Sequence, residues 1–287
     1  MHYKDYKTIL SPKNGMNLYR GCSHGCIYCD SRSICYQMDH DFEDIEVKRD
    51  AIAILEDQLR RKRVPCMIGT GAMTDPYIPL ELELQLTKQS LELIERYGFG
   101  VAIQTKSASI LRDIDILARI NNETKCVVQI TLTTHDDSLC KIVEPNVSLT
   151  SERIQVLHAM KARGIPTVVW LSPILPFIND TEENIKALLD ECIAADVKGI
   201  LCFNMGMTLR DGDREYYYRC LDRHFPGLKQ RYVETFGNAY VCDSPNAKRL
   251  MQLFIDTCKQ HGMLYHPDDV FSYLHQFEAK QHQLSLF

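Results

Sequence analysis

The chain has 287 residues, 45% of them hydrophobic and 25% charged. That is an ordinary globular balance, which excludes collagen, coiled coil and wholesale disorder. Lys and Arg number 33 against 38 Asp and Glu, a formal charge of −5, so a bulk basic surface for nucleic acid is excluded while a local patch is not.

Strand-like runs rich in Val and Ile alternate with helix-period segments. In chain order the strands are a weak one at residues 16–19, then 66–70, 100–105, 126–133, 167–172 and 199–203. Between them lie helical patterns at 47–61, 80–97, 109–120, 151–163 and 181–195, with Ser151 and Thr181 read as caps. This alternation implies parallel strands with right-handed crossovers. Six units are too few for a full eight-stranded barrel. The fold class is therefore α/β, a partial (β/α)6 TIM-type barrel with a C-terminal helical extension. A doubly wound sheet is the rival. The expected division is a core at 1–206, an extension packed on it at 207–278 with helices at 214–223 and 246–261, and a tail at 279–287. Functional groups should gather at the carboxyl ends of the strands.

Twelve cysteines are the unusual number. The start of the chain has no apolar signal region, and no run approaches the roughly 18 apolar residues of a membrane span. A cytoplasmic location is expected, where thiols stay reduced. Three cysteines are closely spaced: Cys22, Cys26 and Cys29, in a C-x₃-C-x₂-C loop with Gly21 and Gly25. Three thiolates with no close fourth suit an iron–sulfur cluster that keeps one iron open. A structural zinc on these three with His24 or Cys35 is the alternative.

The loop from Gly21 to Cys29 resembles the cluster motif of the radical S-adenosylmethionine (SAM) superfamily. Thr74-Asp75-Pro76-Tyr77, Pro79, Glu81, Thr105-Lys106-Ser107, Glu144-Pro145, Arg153 and Pro173 through Asp180 extend the resemblance to its spore photoproduct lyase-like branch. The resemblance implies a [4Fe–4S] cluster on Cys22, Cys26 and Cys29, whose open iron binds SAM. It implies an external electron donor and a 5′-deoxyadenosyl radical that abstracts hydrogen from substrate. It assigns SAM contacts by match: Asp75 to the ammonium, Lys106 and Thr131 to the carboxylate, Tyr28 along the adenine. Each has a plainer reading. Asp75 before Pro76 is a turn residue, Lys106 a solvated loop cation, Thr131 a strand former and Tyr28 a packing residue. Glu144 and Arg153 are expected to pair as scaffold.

The departures bear on substrate. In that lyase a cysteine precedes the aspartate of the second strand and returns a hydrogen atom. Here the stretch is Gly71-Ala72-Met73-Thr74. A tyrosine that follows the third cluster cysteine there is Asp30 here. Cys35, Cys140 and Cys202 are alternative donors, each more readily a buried small hydrophobe. Arg210 and Arg214 read as local pairs with Asp211 and Asp213 or as two guanidinium donors for a phosphate-bearing substrate, and the run Tyr216-Tyr217-Tyr218 as packing or a base-stacking platform.

The chain ends in Gln283-Leu284-Ser285-Leu286-Phe287. This pentapeptide resembles the bacterial sliding-clamp-binding motif and would deliver the protein to DNA. A nucleic-acid lesion or modified nucleotide is the leading substrate class. The rivals are radical chemistry on a peptide or metabolite, and a non-catalytic metal-binding module recruited to the clamp.

Overall fold

A computed structural model describes residues 1–280. The tail from Gln283 to Phe287 lies outside the described residues.

Six strands form one parallel sheet: β1 (Gly15–Met16), β2 (Met67–Thr70), β3 (Gly100–Thr105), β4 (Cys126–Leu132), β5 (Thr167–Leu171) and β6 (Gly199–Leu201). Spatial order equals chain order, and every pair is parallel. A doubly wound sheet would reverse its order at a switch point; this one curls as an open barrel. Helices on the outer face connect the strands. Among them are α1 (Ala51–Arg61), α2 (Leu86–Arg96), α3 (Ile114–Glu123), α4 (Thr150–Ala162) and α5 (Glu182–Ala194).

The strands alternate faces. In β4, Cys126, Val128, Ile130 and Leu132 pack outward with the helices. Val127 packs inward with Met67, Ala102, Val168 and Leu201. The inward set lies at the amino ends of the strands. It is covered by Val270 and Leu274 of the helix Pro267–His275, which forms the barrel's floor.

Several boundaries differ from the sequence expectation, each for a tertiary reason. The weak first strand is split. Gly15–Met16 joins the barrel, while Tyr19–Arg20 pairs with Glu46–Lys48 in a separate three-stranded sheet completed by His2–Lys4. Val47 is therefore a strand residue, and α1 begins only at Ala51. The expected helix at 80–97 breaks at Gln85, which takes φ 51°. Both carboxylate oxygens of the buried Glu81 accept the Thr87 N–H, at 3.0 and 3.1 Å, and so cap α2. Ser151 does not cap α4. The helix starts at Thr150, and Glu152 reaches back to accept the Leu149 N–H at 2.6 Å. Thr181 does cap α5, accepting the Asn184 N–H at 3.1 Å.

Candidate active site

The cysteine loop follows Tyr19–Arg20 and lies across the carboxyl ends of the strands. Two glycines shape it. Gly21 has φ +86°, and a Cβ there would stand 2.6 Å from the Phe42 carbonyl oxygen. That same carbonyl accepts the Cys22 N–H at 2.9 Å. Gly25 has φ +70° and rests against Pro145 and Asn146. The loop docks on the segment after β4. Ile27 N–H donates to Val143 O, Asn146 N–H to His24 O, and the Asn146 side-chain amide to Ser23 O, each at 3.0 Å. Cys22 and Cys26 are buried and Cys29 half-buried.

A buried polar platform lies beneath the loop. Glu144 and Arg153 are 1% and 0% exposed and form the expected ion pair. Tyr28 donates its hydroxyl to Glu144. Arg153 also donates to the Thr131 carbonyl at 2.7 Å and the Cys140 sulfur at 3.1 Å. The unpaired cost of burying Glu144 is thus offset by one cation and one hydroxyl. Burial tends to raise its pKa, but the Arg153 and Lys106 charges and the Tyr28 hydroxyl hold it below the usual carboxylate range. The Tyr28 hydroxyl is used up in this platform, and burial with the adjacent carboxylate pushes its pKa well up.

Asp75 is similarly occupied. One oxygen accepts from Tyr77 N–H at 2.8 Å and Thr105 Oγ1 at 2.7 Å; the other accepts the Lys106 N–H at 2.7 Å. His24 of the cysteine loop places Nδ1 3.5 Å from that second oxygen. Asp75 therefore fastens the loop after β2 to the end of β3 and to the cysteine loop. An incoming ammonium would have to share an acceptor already taken.

Lys106, Thr131 and Thr133 keep free donors among the described residues. Among the described residues the Lys106 ammonium makes no ion pair, and stands 5.7 Å from the Tyr28 ring centroid. Burial works to lower its pKa, but the nearby Cys26 and Glu144 outweigh this and the net direction is up. Thr131 continues the inward-facing alternation from Val127 and Gln129. Its Oγ1 is buried with no partner, and so is that of Thr133. A buried hydroxyl without a partner is costly and calls for a ligand.

The donor set fits an iron–sulfur cluster better than a single zinc. Thiolates on one tetrahedral zinc, with bonds of about 2.3 Å, stand about 3.8 Å apart. Cys22, Cys26 and Cys29 are not gathered within 4.8 Å of one another, whereas each lies near enough to feel the others' charge. Burial pushes the Cys22 thiol up to about 12 and also raises Cys26 and Cys29. Three such thiolates need a cationic core to ionise.

The profile of the Radical SAM superfamily matches residues 16–192. The chain belongs to the radical SAM superfamily. Enzymes of this superfamily use a [4Fe–4S] cluster and SAM. An uncharacterized protein of Mycobacterium tuberculosis is 31% identical over 229 residues, 77% of this chain and 66% of the relative. The chain thus spans just under two thirds of that relative's length. An uncharacterized protein of Methanocaldococcus jannaschii is 29% identical over 61% of this chain and 65% of its own. Spore photoproduct lyase with bound SAM and dinucleoside spore photoproduct shares the fold, with TM-score 0.62 and 16% identity over 86% of this chain and 74% of that chain.

Other expectations meet different geometry. Arg210 pairs with Asp30 at 3.2 Å, not with Asp211 or Asp213. Among the described residues Arg214 forms no ion pair; it donates to the carbonyls of Leu209, Gly237 and Ala239. The three tyrosines form no common platform. Tyr217 is fully buried and hydrogen-bonds Tyr232, while Tyr216 stacks under the Arg32 guanidinium. Cys140 and Cys202 are buried, but Cys35 is exposed and accepts from Arg210 at 3.2 Å. Sequence reasoning missed His24 and Asn146 as loop anchors. The run Glu144-Pro145-Asn146 carried the signal for the latter. Among the described residues, no helix is long and apolar enough to cross a membrane.

Proposed function

We propose that this protein cleaves SAM reductively at a [4Fe–4S] cluster held by Cys22, Cys26 and Cys29. The cluster and SAM, once bound, supply a 5′-deoxyadenosyl radical. The chain's own residues bind and orient. Lys106 pairs with the SAM carboxylate and Thr131 hydrogen-bonds it. Tyr28 presents its ring beside Lys106, while its hydroxyl stays on Glu144. Asp75 acts chiefly by holding Lys106 and His24 in place. The observation that carries this reading is the Lys106 ammonium, unpaired among the described residues, together with the orphaned Thr131 hydroxyl, each one residue past the register pair Thr105–Ile130.

The substrate class we infer is a nucleic-acid lesion or modified nucleotide. The fold shared with spore photoproduct lyase, bound to a dinucleoside lesion, supports the class. Met73-Thr74 before Asp75, and Asp30 after Cys29, argue for a reaction other than that lyase's. Delivery to DNA by a sliding clamp, through Gln283–Phe287, belongs to the same reading and rests on the sequence.

Anaerobic reconstitution tests the core claim. About four irons per chain are expected, with SAM converted to 5′-deoxyadenosine under reductant. Cys26→Ala should lose both. Zinc alone with no cleavage, or full cleavage by Cys26→Ala, would overturn the assignment. The substrate is then sought by deuterium exchange with the 5′ carbon of labelled SAM.

A further inference from the structure

A second set of ligating groups lies outside the cysteine loop, on the three-stranded sheet. His2 stands opposite Glu46 across the pair His2–Lys4 and Glu46–Lys48. His40 places Nδ1 3.0 Å from the Asp41 carbonyl oxygen. A carbonyl only accepts, so His40 donates from Nδ1 and Nε2 is the nitrogen left to ligate. That Nε2 is buried without a hydrogen-bond partner. It lies 3.7 Å from Glu46 Oε2 and 4.0 Å from Asp39 Oδ1. His2 repeats the arrangement: Nδ1 is 2.9 Å from Asp44 Oδ2, and Nε2 is 3.8 Å from the same Glu46 oxygen.

Glu46 is fully buried. Its Oε1 accepts the Tyr6 hydroxyl at 2.5 Å, and its Oε2 accepts no hydrogen bond. The Lys4 ammonium stands 3.1 Å from Oε2 and 3.2 Å from Asp39 Oδ2, out of hydrogen-bonding line with the first. Lys4 reaches in on an exposed side chain and can swing back to solvent. Without a cation, an imidazole nitrogen and two carboxylate oxygens would face one another across a gap whose inner wall is the buried Glu46. An imidazole whose far nitrogen is fixed by a carbonyl or carboxylate is the usual outer support of a metal ligand.

We propose that this cluster is a divalent-cation site of nitrogen and oxygen donors, suited to zinc. Asp39, His40 and Glu46 are the ligands, with His2 Nε2 closing the fourth position. The ligand atoms of Asp39, His40 and Glu46 lie within 4.8 Å of one another. Tetrahedral zinc needs about 3.3 Å between ligands, given bonds of about 2.0–2.1 Å, a contraction that small side-chain rotations supply. Zinc and the Lys4 ammonium compete for the same carboxylates. The site clamps the segment around Phe42, whose carbonyl takes the Cys22 N–H at 2.9 Å, so it braces the cysteine loop from outside.

The test uses the cluster-loaded protein, equilibrated with zinc and dialysed. One zinc beyond the cluster iron is expected by elemental analysis. Zinc-edge X-ray absorption should show a nitrogen/oxygen shell at about 2.0–2.1 Å and no sulfur at about 2.3 Å. Asp39→Asn, on an exposed side chain that cannot unfold the protein, should weaken zinc binding at least about tenfold, and His40→Ala should abolish it. Lys4→Ala, which removes the competitor, should tighten it about tenfold. No zinc on either the wild type or Lys4→Ala would overturn the site. So would a sulfur shell, or full zinc retention in the Asp39→Asn/His40→Ala double variant.

Discussion

Lys106 and Asp213 are both ionisable groups without an ion-pair partner among the described residues, and their environments favour opposite charge states, Lys106 charged and Asp213 neutral. Lys106 faces Cys26 and Glu144, which keep it charged. Lys106→Met should therefore weaken SAM binding to the cluster-loaded protein about tenfold or more, the worth of one hydrogen bond between charged groups. Calorimetric titration with SAM measures this, and an unchanged Kd would remove Lys106 from the site. Asp213 is fully buried, and neither carboxylate oxygen has a partner. Burial, then the charge of Asp30, raises its pKa from 3.8 to about 7 against the opposing Arg32 and Arg214. An acid whose pKa is raised by folding favours the folded state while protonated, and that contribution is lost as pH climbs toward the folded value. Stability should fall between about pH 4 and 7 for this group. Asp213→Asn should stay flat over the window, so the urea midpoints of the two proteins diverge as pH rises; parallel curves would contradict the shift.

At the scale of elements, the cysteine loop depends on backbone that only glycine takes easily. Gly21 carries φ +86° with the Phe42 carbonyl where a Cβ would sit. Strain of about 1–2 kcal/mol for the left-handed residue is joined by a backbone clash that cannot rotate away. Gly25, at φ +70°, carries the same left-handed strain, but its neighbours are the side chains of Pro145 and Asn146 at 3.2 Å, a milder clash than the Phe42 carbonyl at 2.6 Å. Gly21→Ala should lower reconstituted iron content by more than half, while Gly25→Ala should keep most of it. Equal iron in both variants and the wild type would show that the loop is not so constrained. This loop was legible in the sequence because spacing and glycines are local signals. The break at Gln85 was not, because its cause is the Glu81 carboxylate capping α2 through tertiary placement. The same holds for Asp75: its turn chemistry, with the Tyr77 N–H, could be read, but its other two donors come from the end of β3.

Across the whole molecule the barrel has two unlike ends. Strand order and parallel pairing were readable, since alternating strand and helix patterns with short connections leave few topologies. The floor was not. The helix Pro267–His275 lies more than sixty residues beyond the last barrel strand, and nothing local says that Val270 and Leu274 fit against Met67, Ala102, Val127, Val168 and Leu201. The carboxyl end, by contrast, keeps free polar groups at Lys106, Thr131 and Thr133. An apolar plug at one end and unsatisfied donors at the other separate stability from binding. Leu274 is 3% exposed, so Leu274→Ala should cost about 2–5 kcal/mol of unfolding free energy. Urea denaturation of the cluster-loaded protein reads that loss. The same variant, at temperatures where it stays folded, should bind SAM with the wild-type Kd, because the plug packs on the inward apolar set of Met67, Ala102, Val127, Val168 and Leu201. A stable variant with a weakened Kd would instead mean that the floor sets the curvature of the sheet and, through it, the spacing of Lys106 and Thr131.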